Sequence, residues 1–145
     1  MNITFIEIKD DPRAAGVLYE LLFERGKEQS ISHSTMPSLE EHMEFMRYHP
    51  YRAWYLIQNE GGVYVGALNL TKHNEIGIAI LNRYQRQGYA RAAIEHVLTS
   101  IMPFPALPGL RGNKWLANIN PSNEASIQMF QKLGFSHIQN TYRKD

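Results

Sequence analysis

The chain has 145 residues, 43% hydrophobic and 20% charged, with a net charge of +1 and no cysteine. That length supports one sizeable core over residues 1–145, a single domain, and the composition excludes a disordered or fibrous chain. The missing cysteines exclude disulfides, thiolate metal sites and a Cys-linked acyl intermediate, and the near-neutral charge excludes neither fold nor chemistry but gives nucleic acid and acidic membranes no footing.

Residues 2–8 alternate apolar and polar, which predicts a first strand, closed by Asp10-Asp11-Pro12. Ala14, Val17, Leu18, Leu21 and Leu22 then recur at helical spacing up to Gly26. Residues 29–37 read as a polar loop. Ser38 followed by Glu41 is a capping-box pattern, and Leu39, His42, Met43 and Met46 continue one face of a second helix that stops before His49-Pro50. Residues 54–58 and 63–70 are β-rich runs around the hairpin signal Asn59-Glu60-Gly61-Gly62, and residues 75–81 are a third run. Ala90, Ala93, Ile94, Val97, Leu98 and Ile101 give the strongest helical stripe of the chain. Residues 102–113 form a loop, 115–119 a strand, Ser122 or Asn123 to Leu133 a helix closed by Gly134, and 135–142 a last strand. The order β-α-α-β-β-β-α-β-α-β predicts an α+β (mixed α/β) fold rather than a doubly wound parallel one.

No window reaches the roughly 18 apolar residues of a membrane span, and the first residues lack the regions of a signal peptide, so a cytoplasmic protein is expected. The charge is uneven: residues 1–60 balance to −4 and residues 61–145 to +5, which makes the second half the better host for an anion. A specific anion cradle is suggested where the third run passes through Gln85-Arg86-Gln87-Gly88-Tyr89-Ala90 into the long helix. The first turn of a helix leaves N–H groups unpaired and its dipole favours negative charge. Gly88 permits close approach, Ala90 keeps the way clear, and Arg86 and Arg91 add cationic charge for phosphates. Neither G-x-x-x-x-G-K-[ST] nor G-x-G-x-x-G occurs, which argues against a P-loop or Rossmann enzyme.

Gln85, Gly88 and Ala90 fall in a pattern that resembles the central signature of GNAT-type N-acetyltransferases, a strand followed by [QR]-x-x-G-x-[GA]. Asn123 to Phe135, ending Lys132-Leu133-Gly134-Phe135, is similar to the family's second signature. The resemblance covers nearly the whole chain and looks most like the branch that acetylates ribosomal-protein N-termini and small amines. It implies a mostly antiparallel sheet of about six to seven strands flanked by four helices, with acetyl-CoA as co-substrate and no metal. It further implies that the backbone of Ile78, Ala79 and Ile80 pairs with the pantetheine arm. Gln85, Arg86, Gln87, Gly88, Tyr89, Ala90 and Arg91 take the pyrophosphate, and Asn123 and Phe130 approach the cofactor.

Attack of an amine on a thioester needs a neutral amine, a polarised carbonyl and a route for protonating the thiolate. Glu75 is a candidate base, with His73 as the alternative, and the Ile80 N–H is the candidate carbonyl polariser. Where the family commonly has an acidic tyrosine, this chain has Phe130, which donates no proton. Ser126, one turn earlier, is the candidate acid, Tyr84 and Tyr89 are weaker ones, and a thiolate can also leave without an acid. The acceptor site is expected among residues 29–37, the second helix and the hairpin strands, where His33, His42, His49, Trp54 and Tyr55 lie. The histidines have no metal-ligand spacing and read as surface or core residues, and Trp54 reads as core. The reading is therefore an acyltransferase acting on a small-molecule amine such as an amino sugar or amino acid, as a monomer or homodimer. Acetylation of a peptide or protein N-terminus and a non-catalytic acyl-CoA-binding module stay open.

Overall fold

In the computed structural model, which describes residues 1–25 and 36–145, four strands form one antiparallel sheet in chain order. They are β1 (Thr4–Glu7), β2 (Ala53–Gln58), β3 (Tyr64–Leu70) and β4 (Ile76–Ile80). Helices α1 (Ala14–Glu24) and α2 (Leu39–Tyr48) lie between β1 and β2, and α3 (Tyr89–Ser100) and α4 (Glu124–Lys132) follow β4. Strand alternation sends side chains to both faces of the sheet, so both must be covered. Trp54, Leu56 and Ala67 pack with Leu18 and Leu21 of α1 on one face. Ile57, Leu68, Leu70 and Ile76 pack with Ala93, Ile94 and Val97 of α3 and Phe130 of α4 on the other.

Local chemistry sets the helix ends. Ser38 and Glu41 form the expected capping box, each side chain taking the other's backbone N–H at 3.1 Å, and α2 ends at His49 in the left-handed region (φ 46°). Asp11, ahead of α1, accepts the Tyr64 hydroxyl from β3 at 2.5 Å and a guanidinium N–H of Arg13 at 2.8 Å. These hydrogen bonds, Arg13's foremost, hold its carboxyl well below the usual carboxylate range. α1 is thereby fastened to the sheet at its start.

β3 carries a feature absent from the simple hairpin expectation. Ile57 is opposite Gly66 while Gln58 is opposite Tyr64, so Val65 is an extra residue, a β-bulge. Tyr64 and Ala67 therefore face α1, whereas Val65, Leu68 and Leu70 face α3. Gly66 is needed at the bulge because a Cβ there would lie 2.3 Å from the Ala79 carbonyl oxygen.

Two expected strands are corrected. Residues 115–119 do not form a strand but touch β4 at one parallel bridge, Glu75 to Leu116, with Ile76 N–H donating to Leu116 C=O (2.8 Å) and Leu116 N–H to Asn74 C=O (2.8 Å). Beyond this bridge the two segments part. Residues 136–142 have no regular structure, pair with no sheet edge and leave Ile138 (69%) and Tyr142 (89%) exposed. The ladder thus has four strands where six to seven were expected. The predicted loop at residues 29–37 lies, up to residue 35, outside the described residues, as does His33.

Candidate active site

The parting of β4 from residues 115–119 leaves one edge of β4 open. Ile76 N–H points outward to Leu116, and Leu81 N–H points inward to Val65 C=O at 2.9 Å. With a two-residue period between them, the amides of Ile78 and Ile80 also point outward, along the open edge. A free edge of this kind accepts an extended ligand as a further strand.

At its end β4 leads through a 3-10 turn (Asn82–Tyr84) to the predicted cradle. Gln85 is exposed but bonds back to the chain: its side-chain amide donates to Ile80 C=O (3.0 Å) and Asn82 Oδ1 (3.1 Å), tying the loop to the strand. Gln87 likewise donates to Arg83 C=O at 3.4 Å. Arg86 and Gly88 take positive φ, 63° and 90°, turning the chain into α3. Only at Gly88 is that conformation free of a side-chain penalty. No side chain caps α3, and its first helical bond is Ala92 N–H to Gly88 C=O (3.0 Å). Among the described residues the amides of Tyr89, Ala90 and Arg91 are therefore without partners.

α4 stands beside this helix start. A cleft of about 260 Å³ separates Arg91 from Ala125, Gln128, Met129 and Lys132. Arg91 also pairs with Glu95 at 3.0 Å. Lys132 was not singled out from the sequence, although it belongs to the second signature, because only the packing of α4 beside α3 brings it near Arg91. Asn123 is the N-cap of α4, its Oδ1 accepting Ser126 N–H at 3.3 Å. Ser126 is half-buried, and Phe130, four residues on, is 3% exposed in the α3-side core with its ring edge-on to Phe135. Tyr84 and Tyr89 stack edge-to-face, and the Tyr89 hydroxyl accepts from Asn59 Nδ2 at 3.4 Å.

Glu75 sits where β4 and residues 115–119 fork, at the opposite end of β4 from the cradle. Its carboxylate accepts from Thr71 Oγ1 (2.9 Å) and Asn118 Nδ2 (2.5 Å), so its position is fixed. The imidazole of His73 instead contacts Leu110 C=O at 3.4 Å on the far side of the turn.

Behind β4, on the α1 face, lies a cavity of about 220 Å³. Its walls include Leu18, His42, Phe45, Trp54, Asn69 and Ala79. His42 is 3% exposed, and its Nε2 has no hydrogen-bond partner. Burial pushes the imidazole below its ordinary pKa. Asn69 lies against Gly77, where a Cβ would approach its amide to 2.7 Å, so the glycine makes room for a polar group in the wall. His42 and Trp54 thus occupy the expected acceptor region, whereas Tyr55 packs toward α3 and stacks on Phe5. No helix among the described residues is long and apolar enough to cross a membrane, and among them no group of His, Cys, Asp and Glu is arranged to hold a metal ion.

Solved structures share this architecture. A domain from Methanocaldococcus jannaschii superposes with a TM-score of 0.73 at 22% identity, over 97% of this chain and 92% of that one. Spermidine N-acetyltransferase from Vibrio cholerae, solved with CoA and spermine, gives 0.70 at 16% identity over 94% and 82%. Ribosomal-protein-alanine N-acetyltransferase from Brucella melitensis gives 0.65 at 15% identity over 96% and 86%. At these identities the likeness establishes the fold alone. No curated protein sequence is significantly similar to the chain. The sequence profile of the acetyltransferase (GNAT) domain, however, matches residues 9–136, which span both the open edge of β4 and the uncapped start of α3. The chain belongs to the GNAT acetyltransferase family and is an acyltransferase.

Proposed function

We propose that the chain transfers the acetyl group of acetyl-CoA directly to the primary amine of a small metabolite, in the cytoplasm. The observation that carries this reading is the continuity of the free edge of β4 with the uncapped N-terminus of α3. The first offers outward amides at Ile78 and Ile80 to an amide-containing arm, and the second offers the amides of Tyr89, Ala90 and Arg91 to a pyrophosphate. Acetyl-CoA has both parts, and it supplies the activated acyl group as a thioester. Arg86, Arg91 and Lys132 add positive charge for its phosphates. Gln85 and Gln87 serve by holding the turn in shape, and Asn123 and Phe130 position α4 beside it.

The chain's own groups then divide the chemistry. Ile80 lies at the cradle end of β4, about 16 Å of strand from Glu75, so its N–H holds the arm, and the Ile78 N–H, nearer Glu75, polarises the carbonyl as a preset donor. Glu75, oriented by Thr71 and Asn118, takes a proton from the acceptor's ammonium. Ser126, on the inward side of α4, donates to the departing thiolate.

Titration calorimetry with acetyl-CoA, followed by thiol release across amines, amino sugars, amino acids and peptides, tests the reading. Turnover of small amines is expected. Release with peptides alone would replace it with N-terminal acetylation, tight binding without release with a non-catalytic module, and absence of binding would end it.

A further inference from the structure

The cavity behind β4 is walled mainly by carbon, and its aromatic part is ordered. Trp54, 6% exposed, meets Phe45 and Tyr51 edge-on, with centroids 5.7 and 4.9 Å from its own. The cavity volume of about 220 Å³ exceeds the ~150 Å³ in which an apolar protein cavity already admits benzene. A phenyl or branched alkyl group fits.

Its charges narrow the choice further. Among the described residues Glu41 is the one carboxylate in the wall, and it accepts the Ser38 N–H at 3.1 Å to close the capping box. Arg25 is the opposing cation. A polyamine needs a carboxylate or water for each ammonium group it brings in, and among the described residues this wall offers a single, already committed carboxylate. A sugar needs polar partners on every side, whereas the carbon of Leu18, Leu21, Leu22, Phe45, Ala67 and Ile78 makes up much of this wall.

We infer that this cavity takes the apolar body of the acceptor, a compact primary amine bearing an aromatic or branched aliphatic group. The inference rests on the acetyl-transfer reading for calling this ligand an acceptor. Ile78 and Ala79 belong both to the cavity wall and to the strand whose edge is assigned to the donor, so an amine lodged here lies beside that strand.

The experiment uses the full chain with phenethylamine, isoamylamine, glucosamine and spermidine. Binding is read by saturation-transfer NMR without donor, and turnover by thiol release with acetyl-CoA. The two apolar amines are expected to bind, and to react with kcat/KM about tenfold or more above the other two. Leu22→Trp, which fills the cavity from α1, is expected to abolish their binding while acetyl-CoA affinity is unchanged. A preference for spermidine or glucosamine, or undiminished binding in the filled variant, overturns the inference. If the apolar amines bind but acetyl-CoA does not, the donor reading fails and the cavity assignment stands; if acetyl-CoA binds and the apolar amines do not, the reverse holds.

Discussion

The outer edge and the inner face of β4 offer different kinds of chemistry. The edge presents main-chain amides, at Ile78 and Ile80 and then at the start of α3, where the exposed side chains of Gln85 and Gln87 bond back to the chain and hold the loop. The face presents side chains gathered from α1, α2, β2 and β3. A site made of backbone depends on conformation and tolerates many sequences, provided that a residue such as Gly88 can adopt φ 90°. A site made of side chains changes its preference with single substitutions. The donor side of the molecule is thus expected to be constant and the acceptor side adjustable.

The largest expected effect joins the two sides. Glu75→Gln should lower kcat about 100-fold with acetyl-CoA affinity retained, and most at lower pH, where free amine is scarce. A pH–rate profile unchanged from that of the parent would remove Glu75 as the base. Gly88→Asp attacks the edge alone. Its Cβ would meet nothing nearer than the Met1 side chain at 3.5 Å, but φ 90° strains any side chain, so the turn into α3 is distorted locally while the carboxylate faces the proposed phosphates. Acetyl-CoA affinity should fall roughly thirtyfold, about 2 kcal/mol, by calorimetry, with amine binding in the cavity unchanged. Gly66→Ala strikes both sides, because its Cβ would drive against the Ala79 carbonyl. A loss of about 1–3 kcal/mol in denaturant unfolding is expected, with weaker binding of both ligands. The smallest effect is confined to the face. Burial lowers the folded pKa of His42, so its stabilising effect is present while the ring is neutral and is lost as pH falls below its ordinary value, about 6.5. Melting temperature should decline over that range in the parent more steeply than in His42→Leu.

Much of this arrangement was legible where the cause is local. The capping box of α2 and the apolar stripe of α3 need only their own neighbours in sequence, and both helices begin where those signals place them. Residues 115–119 and 135–142 carry strand-like composition, but a strand exists only where its backbone pairs with an edge. Asn118 turns instead to Glu75, and the last segment pairs with no strand. The cavity left no pattern because its walls come from five elements far apart in the chain. His42 was visible as one position of an amphipathic stripe, and its unpartnered nitrogen emerges only when α2 is packed against α1 and the sheet.

The bulge at Val65 also limits how the chain can change in length. It acts as a spatial frameshift, letting one strand switch which face its odd and even positions serve. A version lacking that residue could not keep both halves of β3 in phase. Either Tyr64 would leave the α1 face and its bond to Asp11, or Leu68 and Leu70 would abandon the α3 core. Insertions and deletions should therefore be tolerated in the turn at Asn59 to Gly62 and rejected a few residues later, making the length of β3 more restrictive than its composition.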